Sequence, residues 1–292
     1  MPPKTSQFRS WDDYYIPGTT VLRNKLTSTA EPYGTTDPDK LRSYEEAATH
    51  IRMGELARTP VSGKFDYNHL KAIHRTLFQD VYEWAGEERT GPLNHMSKSG
   101  PDVVNYPPGD PHAPTVNYGY YPAPAIADAA NLQFRRLAKQ DLLRGRDREE
   151  FLTGLAEHWG EINTIHSFRE GNTRTQFVFF SELSRHAGYE LDIAQFAENA
   201  PLRTEFVHAR FYNQSTTRTD RLEAVLNKAL TEAHPPVSAR SAERAYIEDL
   251  MRNVRLAFPA PPTATRRGGS SVTPETSRPA ETPKREPGHE RD

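Results

Sequence analysis

The stretch Ile165-His166-Ser167-Phe168-Arg169-Glu170-Gly171-Asn172-Thr173-Arg174-Thr175-Gln176-Phe177 decides how this chain is read. Upstream of it, Phe151, Leu155, Trp159 and Ile162 repeat at helical spacing, which predicts a buried helix over residues 149–165. A second helix is predicted from about Asn172 to Ala187 and stops at Gly188, an ordinary C-terminal punctuation. A short loop joins the two. The first N–H groups of a helix lack intrahelical partners, and the macrodipole adds partial positive charge there. Gly171 lets the backbone approach a ligand closely. Gly171, Asn172 and Thr173 therefore predict an anion seat of the kind that cradles phosphates. Arg174 adds a charge-assisted contact to a phosphate oxygen. Glu170 offers a hard oxygen ligand beside the seat, and a magnesium ion bridging phosphates needs little more from protein. His166 can accept a proton from an attacking hydroxyl at neutral pH. Each residue alone has an ordinary explanation as a cap, a loop or a structural histidine. Their order within nine residues, His166 to Arg174, is what points to phosphate chemistry.

Outward from this segment the pattern is mainly helical. Helices are predicted at residues 39–57, with Leu41, Tyr44, Ala48, Ile51 and Leu56 near one side, and after a cap at Asp66, with Leu70, Ile73, Leu77, Phe78 and Val81. Others are expected at residues 125–137, 201–212, 219–233 and 238–258. Residues 1–20 read as an N-terminal arm that packs Trp11, Tyr14 and Tyr15 on the body. Residues 91–124 are rich in Gly, Pro, Asn and Tyr, and a long irregular loop inside a compact domain is usually functional. Alternating stretches at residues 93–98 and 115–121 predict a hairpin within it. The main domain is placed at 21–235, a C-terminal helix at 236–258 and a disordered tail at 259–292, where almost nothing can be buried.

Composition narrows the chemistry. The chain of 292 residues has no cysteine, which excludes disulfides, zinc–thiolate sites and cysteine nucleophiles. His158 and His166 are eight apart, whereas a zinc helix motif needs two histidines four apart, so zinc is not expected. The net charge of −2 gives no push toward nucleic acid or an anionic membrane, and neither is expected as a partner. The polar start, Met1 to Ser10, lacks a Sec-type apolar stretch, so a cytoplasmic location is the expectation, with export by a signal-independent secretion system left open.

The segment resembles the Fic family motif, H-P-F-x-[DE]-G-N-G-R-x-x-R. His166, Phe168, Glu170, Gly171, Asn172 and Arg174 match it. Glu161, Asn163 and Ala187-Gly188-Tyr189 resemble its flanks, and His74, Phe78, Val81-Tyr82, Trp84-Ala85-Gly86 and Arg89 resemble the family's second common block. Met96-Ser97-Lys98 resembles the start of its flap, and the similarity, best to the bacterial toxin and effector branch, covers roughly residues 10–230. The resemblance implies a helical bundle with a small hairpin flap. It implies transfer of AMP from ATP onto a protein Tyr, Ser or Thr hydroxyl. His166 would be the base, Phe168 a buried anchor, and Glu170 the magnesium ligand. Gly171, Asn172 and Thr173 would seat the phosphates, with Arg174 on the phosphate tail and Lys98 on a phosphate or the target. Met96, Ser97 and Lys98 would dock the target by strand addition.

Three positions depart from the motif. Ser167 replaces its proline, Thr173 its second glycine, and Phe177 its final arginine. In the family that arginine steadies the far end of the triphosphate, and Phe177 is expected to pack with Val178 and Phe180 instead. Members are often restrained by a Ser/Thr-x-x-x-Glu-Gly/Asn helix. Thr27 to Glu31 has the spacing, but Pro32 argues against a helix there, which leaves room for a separate small antitoxin or for a variant that needs no restraint. The departures keep open two alternatives: a transferase using another nucleotide or moving another phosphate-containing group, as in the Doc branch, and a catalytically silent nucleotide-binding scaffold.

Overall fold

The computed structural model describes residues 7–94, 96–196 and 199–232. The helix and tail expected at 236–258 and 259–292 lie outside the described residues. Among the described residues seven α-helices dominate: α1 (Pro38–Arg58), α2 (Tyr67–Phe78), α3 (Ile126–Lys139), α4 (Arg148–Ile165), α5 (Asn172–His186), α6 (Arg203–Thr216) and α7 (Asp220–Ala229). Two small antiparallel sheets accompany them. One pairs β1 (Met96–Pro101) with β2 (Thr115–Tyr120), and the other pairs β3 (Tyr189–Leu191) with β4 (Leu230–Glu232). No described helix is long and apolar enough to cross a membrane.

The helix starts follow from short polar caps. Asp37 accepts from the N–H groups of Asp39 and Lys40, with Pro38 fixing the first turn of α1. Asp66 accepts from His69 N–H at 2.8 Å, as the sequence predicts for α2, and Asp147 does the same for Glu150 at the start of α4. The predicted apolar residues of α2 and α4 are all buried. In α1 the expected face is wrong at one point: Ile51 is 61% exposed, while Met53 joins Leu41, Ala48 and Leu56 in the core. At 100° per residue Ile51 falls about half a turn from the Met53–Leu56 stripe.

The helix expected over 219–233 ends at Ala229. The chain turns extended at Leu230 and pairs with Tyr189–Leu191, a bond from Asp192 N–H to Ala229 O (2.9 Å) sealing the junction. Leu222, Val225, Leu226 and Leu230 keep helical spacing, so only the distant partner strand reveals the break. The hairpin is present, with its first strand shifted to Met96–Pro101; Leu93 is exposed outside it. Tyr118 stacks on Phe211 of α6 at 4.2 Å and its hydroxyl donates to Pro101 O, which fastens the flap to the bundle. Thr27–Glu31 forms a turn closed by two bonds between Ser28 and Glu31, not a helix.

Candidate active site

The loop between α4 and α5 is held in place by buried polar contacts. His166 ends α4 in a left-handed conformation (φ 50°), its N–H still bonded to Ile162 O. Asn172, the first residue of α5, closes the loop on itself: its Oδ1 accepts from Phe168 N–H at 3.0 Å and its Nδ2 donates to Phe168 O at 2.7 Å. Gly171 is left-handed (φ 79°), and a Cβ there would stand 2.2 Å from the Phe78 ring, so both its conformation and its surroundings require glycine. Phe168 is buried and stacks on His74 at 3.8 Å.

Two residues of the second block act from behind. His74 accepts from Gly86 N–H at Nδ1 (2.8 Å), so in the neutral ring Nε2 carries the proton and donates to Glu170 O (3.0 Å). Burial pushes its pKa down to about 3. Arg89 is 2% exposed and has only carbonyl partners: Nε donates to His166 O (2.7 Å), Nη1 to Gly91 O (3.0 Å) and Nη2 to Tyr121 O (2.5 Å). One guanidinium thus ties the end of α4 to both ends of the flap segment. Desolvation lowers its pKa to about 10.

In front of the loop lies a pocket of about 360 Å³. Its walls bring together the residues named from the sequence for catalysis and for nucleotide, metal and target binding: His166, Glu170, Gly171, Asn172, Thr173 and Arg174, with Met96, Ser97 and Lys98 from β1. Trp11, Tyr120, Asn163, Arg169, Arg210 and Phe211 complete it. The His166 ring packs against Tyr120 at 4.2 Å, and its Nδ1 is buried. Desolvation, then the nearby charges of Arg89 and Arg210, push its pKa down to about 3, so the ring is neutral at physiological pH. Glu170 has a side chain 47% exposed at the rim, and its carboxylate accepts from Gly171 N–H at 3.0 Å, marking that N–H as an anion donor. Among the described residues no group of three metal-ligating side chains exists.

Arg174 is anchored on α1: Nη2 pairs with Glu45 and Nη1 donates to Thr49 Oγ1 at 3.2 Å, while the guanidinium lies over the Phe78 ring at 4.7 Å. Phe177 is 1% exposed and packs with Trp159, Phe196 and Phe206, so the packing expected for it is present, with more distant partners than Val178 and Phe180. His158 is buried, with its two ring nitrogens hydrogen-bonded to Gln133 and Gln140. The N-terminal arm does pack as expected, Tyr14 sitting against Trp84. It also reaches the site: Trp11 lies over Arg169 at 4.0 Å, and the Tyr15 hydroxyl accepts from Arg169 at 2.8 Å. Glu45, Arg210 and Trp11 were not legible as site residues. No local pattern marks them, because each arrives from a separate element through tertiary packing.

Comparison with known proteins agrees with this geometry. Residues 64–184 match the model of the Fic/DOC family. A probable protein adenylyltransferase of Sinorhizobium fredii, y4lH, is 37% identical over 182 residues, which is 62% of this chain and 79% of that protein. The protein adenylyltransferase VbhT of Bartonella schoenbuchensis is 34% identical over 221 residues, or 76% of this chain, and these span only 39% of its own length. Among solved structures, the effector BepC of Bartonella tribocorum, crystallised with AMPPNP, superposes with a TM-score of 0.60 at 21% identity, covering 76% of this chain and 98% of BepC. The family match and the extent of the likeness to y4lH lead to one conclusion: the chain belongs to the Fic/DOC family.

Proposed function

We propose that this chain is a nucleotidyltransferase that moves AMP from ATP onto a Tyr, Ser or Thr hydroxyl of a protein target. The observation that carries the reading is a neutral His166 lining the same pocket as the N-terminus of α5 and the Glu170 carboxylate. The relatives named protein adenylyltransferases support the reaction type. The target hydroxyl oxygen attacks the α-phosphorus of ATP. The bond from that phosphorus to the bridging oxygen breaks, pyrophosphate leaves, and the hydroxyl proton passes to His166. With Nδ1 buried, Nε2 is the nitrogen that takes it. The N–H groups opening α5 and the Arg174 guanidinium hold the phosphates in line for attack.

A single half-exposed carboxylate beside an anion seat fits magnesium, which takes its remaining ligands from phosphates and water. Glu170 would hold the ion, which when bound supplies positive charge to the phosphate oxygens. Lys98 lines the pocket from β1, and its pKa is lowered by desolvation and by Arg210 and Arg203. Along β1, Met96, Ser97 and Lys98 would receive the target segment as an added strand, by main-chain bonds that tolerate varied side chains. The Thr27–Glu31 turn supplies no inhibitory helix, which leaves room for restraint by a separate small protein or for a site that needs none.

The products test the reaction. Purified chain, a bacterial lysate and ATP are incubated, and the released nucleotide is separated by ion exchange. Pyrophosphate that accumulates with wild type and not with His166→Ala supports AMP transfer. ADP as the His166-dependent product favours phosphoryl transfer. ATP that is bound and never consumed favours the silent scaffold.

A further inference from the structure

The two consequential departures from the family motif, Thr173 and Phe177, converge on one side chain. Arg210, on α6, lines the pocket beside the α5 N-terminus. Its Nη1 donates to Asn163 Oδ1 at 3.2 Å and to Thr173 Oγ1 at 3.4 Å, so the hydroxyl that replaces the motif's second glycine helps to hold it. The guanidinium lies 4.8 Å over the ring of Phe206. Phe206 in turn packs on Phe177 at 5.7 Å and on Phe196 at 4.4 Å. The residue that fills the place of the motif's final arginine therefore builds the aromatic floor under a different arginine.

We propose that Arg210 grips the outer phosphates of the nucleotide, supplying from α6 the charge that position 177 no longer carries. This rests on the reading of the pocket as a nucleotide site. Three further observations support it. Tyr120, His166, Arg203 and Lys98 are the charged or titratable neighbours of Arg210, and it forms no salt bridge with a carboxylate among the described residues. Its Nε is buried with no hydrogen-bond partner among the described residues. Arg174, by comparison, is already paired with Glu45. An unneutralised cation in a partly desolvated pocket with an unused buried donor is stabilised by an anionic ligand, and the phosphates beyond the α5 seat are the anions this pocket would receive. Lys98 completes the positive rim from the flap side.

The test is calorimetry on the full chain with magnesium, titrating an ATP analogue that has methylene between its α- and β-phosphates, and separately AMP. Wild type, Arg210→Gln and Arg210→Lys are compared. Arg210→Gln is expected to weaken the analogue about ten- to hundredfold while AMP changes by less than about twofold, with Lys recovering part of the loss. Partial misfolding would lower the apparent binding of both ligands together, so the ratio of the two affinities isolates the outer phosphates. An unchanged ratio in Arg210→Gln overturns the proposal for Arg210 and leaves the nucleotide site standing. Failure of wild type to bind either nucleotide overturns both.

Discussion

Replacing Arg89 with methionine should loosen the junction between α4, the flap and the motif loop without touching a ligand. The structure sets the size of the effect. Arg89 is 2% exposed and donates to the carbonyls of His166, Gly91 and Tyr121, with a longer fourth contact to Ile165 O at 3.4 Å. Methionine fills much of the volume and leaves the three close carbonyls without this donor. An unsatisfied buried acceptor costs about 1–3 kcal/mol, and two of these three are only part-buried and can recruit water, which places the sum near the low end. Relief from burying a guanidinium, visible in its pKa lowered to about 10, offsets part of the loss. The net is about 2–4 kcal/mol. For a domain of this size that is a drop in Tm of roughly 4–16 °C by scanning calorimetry. Arg89→Lys keeps the charge and reaches fewer carbonyls, so it should fall between. Because the His166 carbonyl is one of the anchors, kcat should fall more than KM rises. A methionine variant that melts within about 1 °C of wild type, far below the shift expected from that loss, would show that these bonds do not hold the junction.

Three other outcomes follow from the same geometry. His166→Ala should abolish transfer while nucleotide binding and Tm stay near wild type, since the anion seat is built from α5; transfer at the native rate would reject His166 as base. Glu170→Gln keeps the shape and removes the charge, so the gain in nucleotide affinity on adding magnesium should disappear in calorimetry, and an equal gain in both proteins would reject the metal role. Acid should destabilise the fold through His74 and His158, both buried and held neutral by desolvation, with pKa values pushed down from 6.5 to about 3 and about 4. Unfolded, these rings take up protons near 6.5; folded, they do not, so their stabilisation is complete above that value and is lost as pH falls. Between about pH 6 and pH 4 these two should contribute a loss of about 2–3 kcal/mol per pH unit, read from urea midpoints, and replacing both with glutamine should lower the slope by about that amount.

Much of the site was legible because its chemistry is local. His166, Glu170, Gly171, Asn172, Thr173 and Arg174 lie on one loop and one helix start, and periodicity in α4 and α5 is enough to place them. The hairpin was legible from alternation and turn residues, though its first strand lies three residues later than expected. What escaped depends on distant partners. Arg174 is held by Glu45, 129 positions away, and nothing in α1 marks that glutamate. The β3–β4 sheet has three residues per strand, too short for alternation to show. Ile51 followed a plausible apolar spacing on the wrong side of α1. Phe177 reads from the sequence as a lost arginine, and only the packing through Phe206 shows that a second arginine stands nearby. Phe177 lies deep in an aromatic cluster, so restoring arginine there would bury a charge among rings.

In the proposed reaction the α-phosphate of ATP, with its adenosine, ends on a protein. Purified chain and bacterial lysate are incubated in parallel with ATP labelled at the α-phosphate and ATP labelled at the γ-phosphate, and the proteins are separated under denaturing conditions. The expected result is α label retained on one or more proteins and lost with His166→Ala, with no γ label that depends on His166. γ label that is lost with His166→Ala, or neither label while ATP stays bound and unconsumed, would count against AMP transfer.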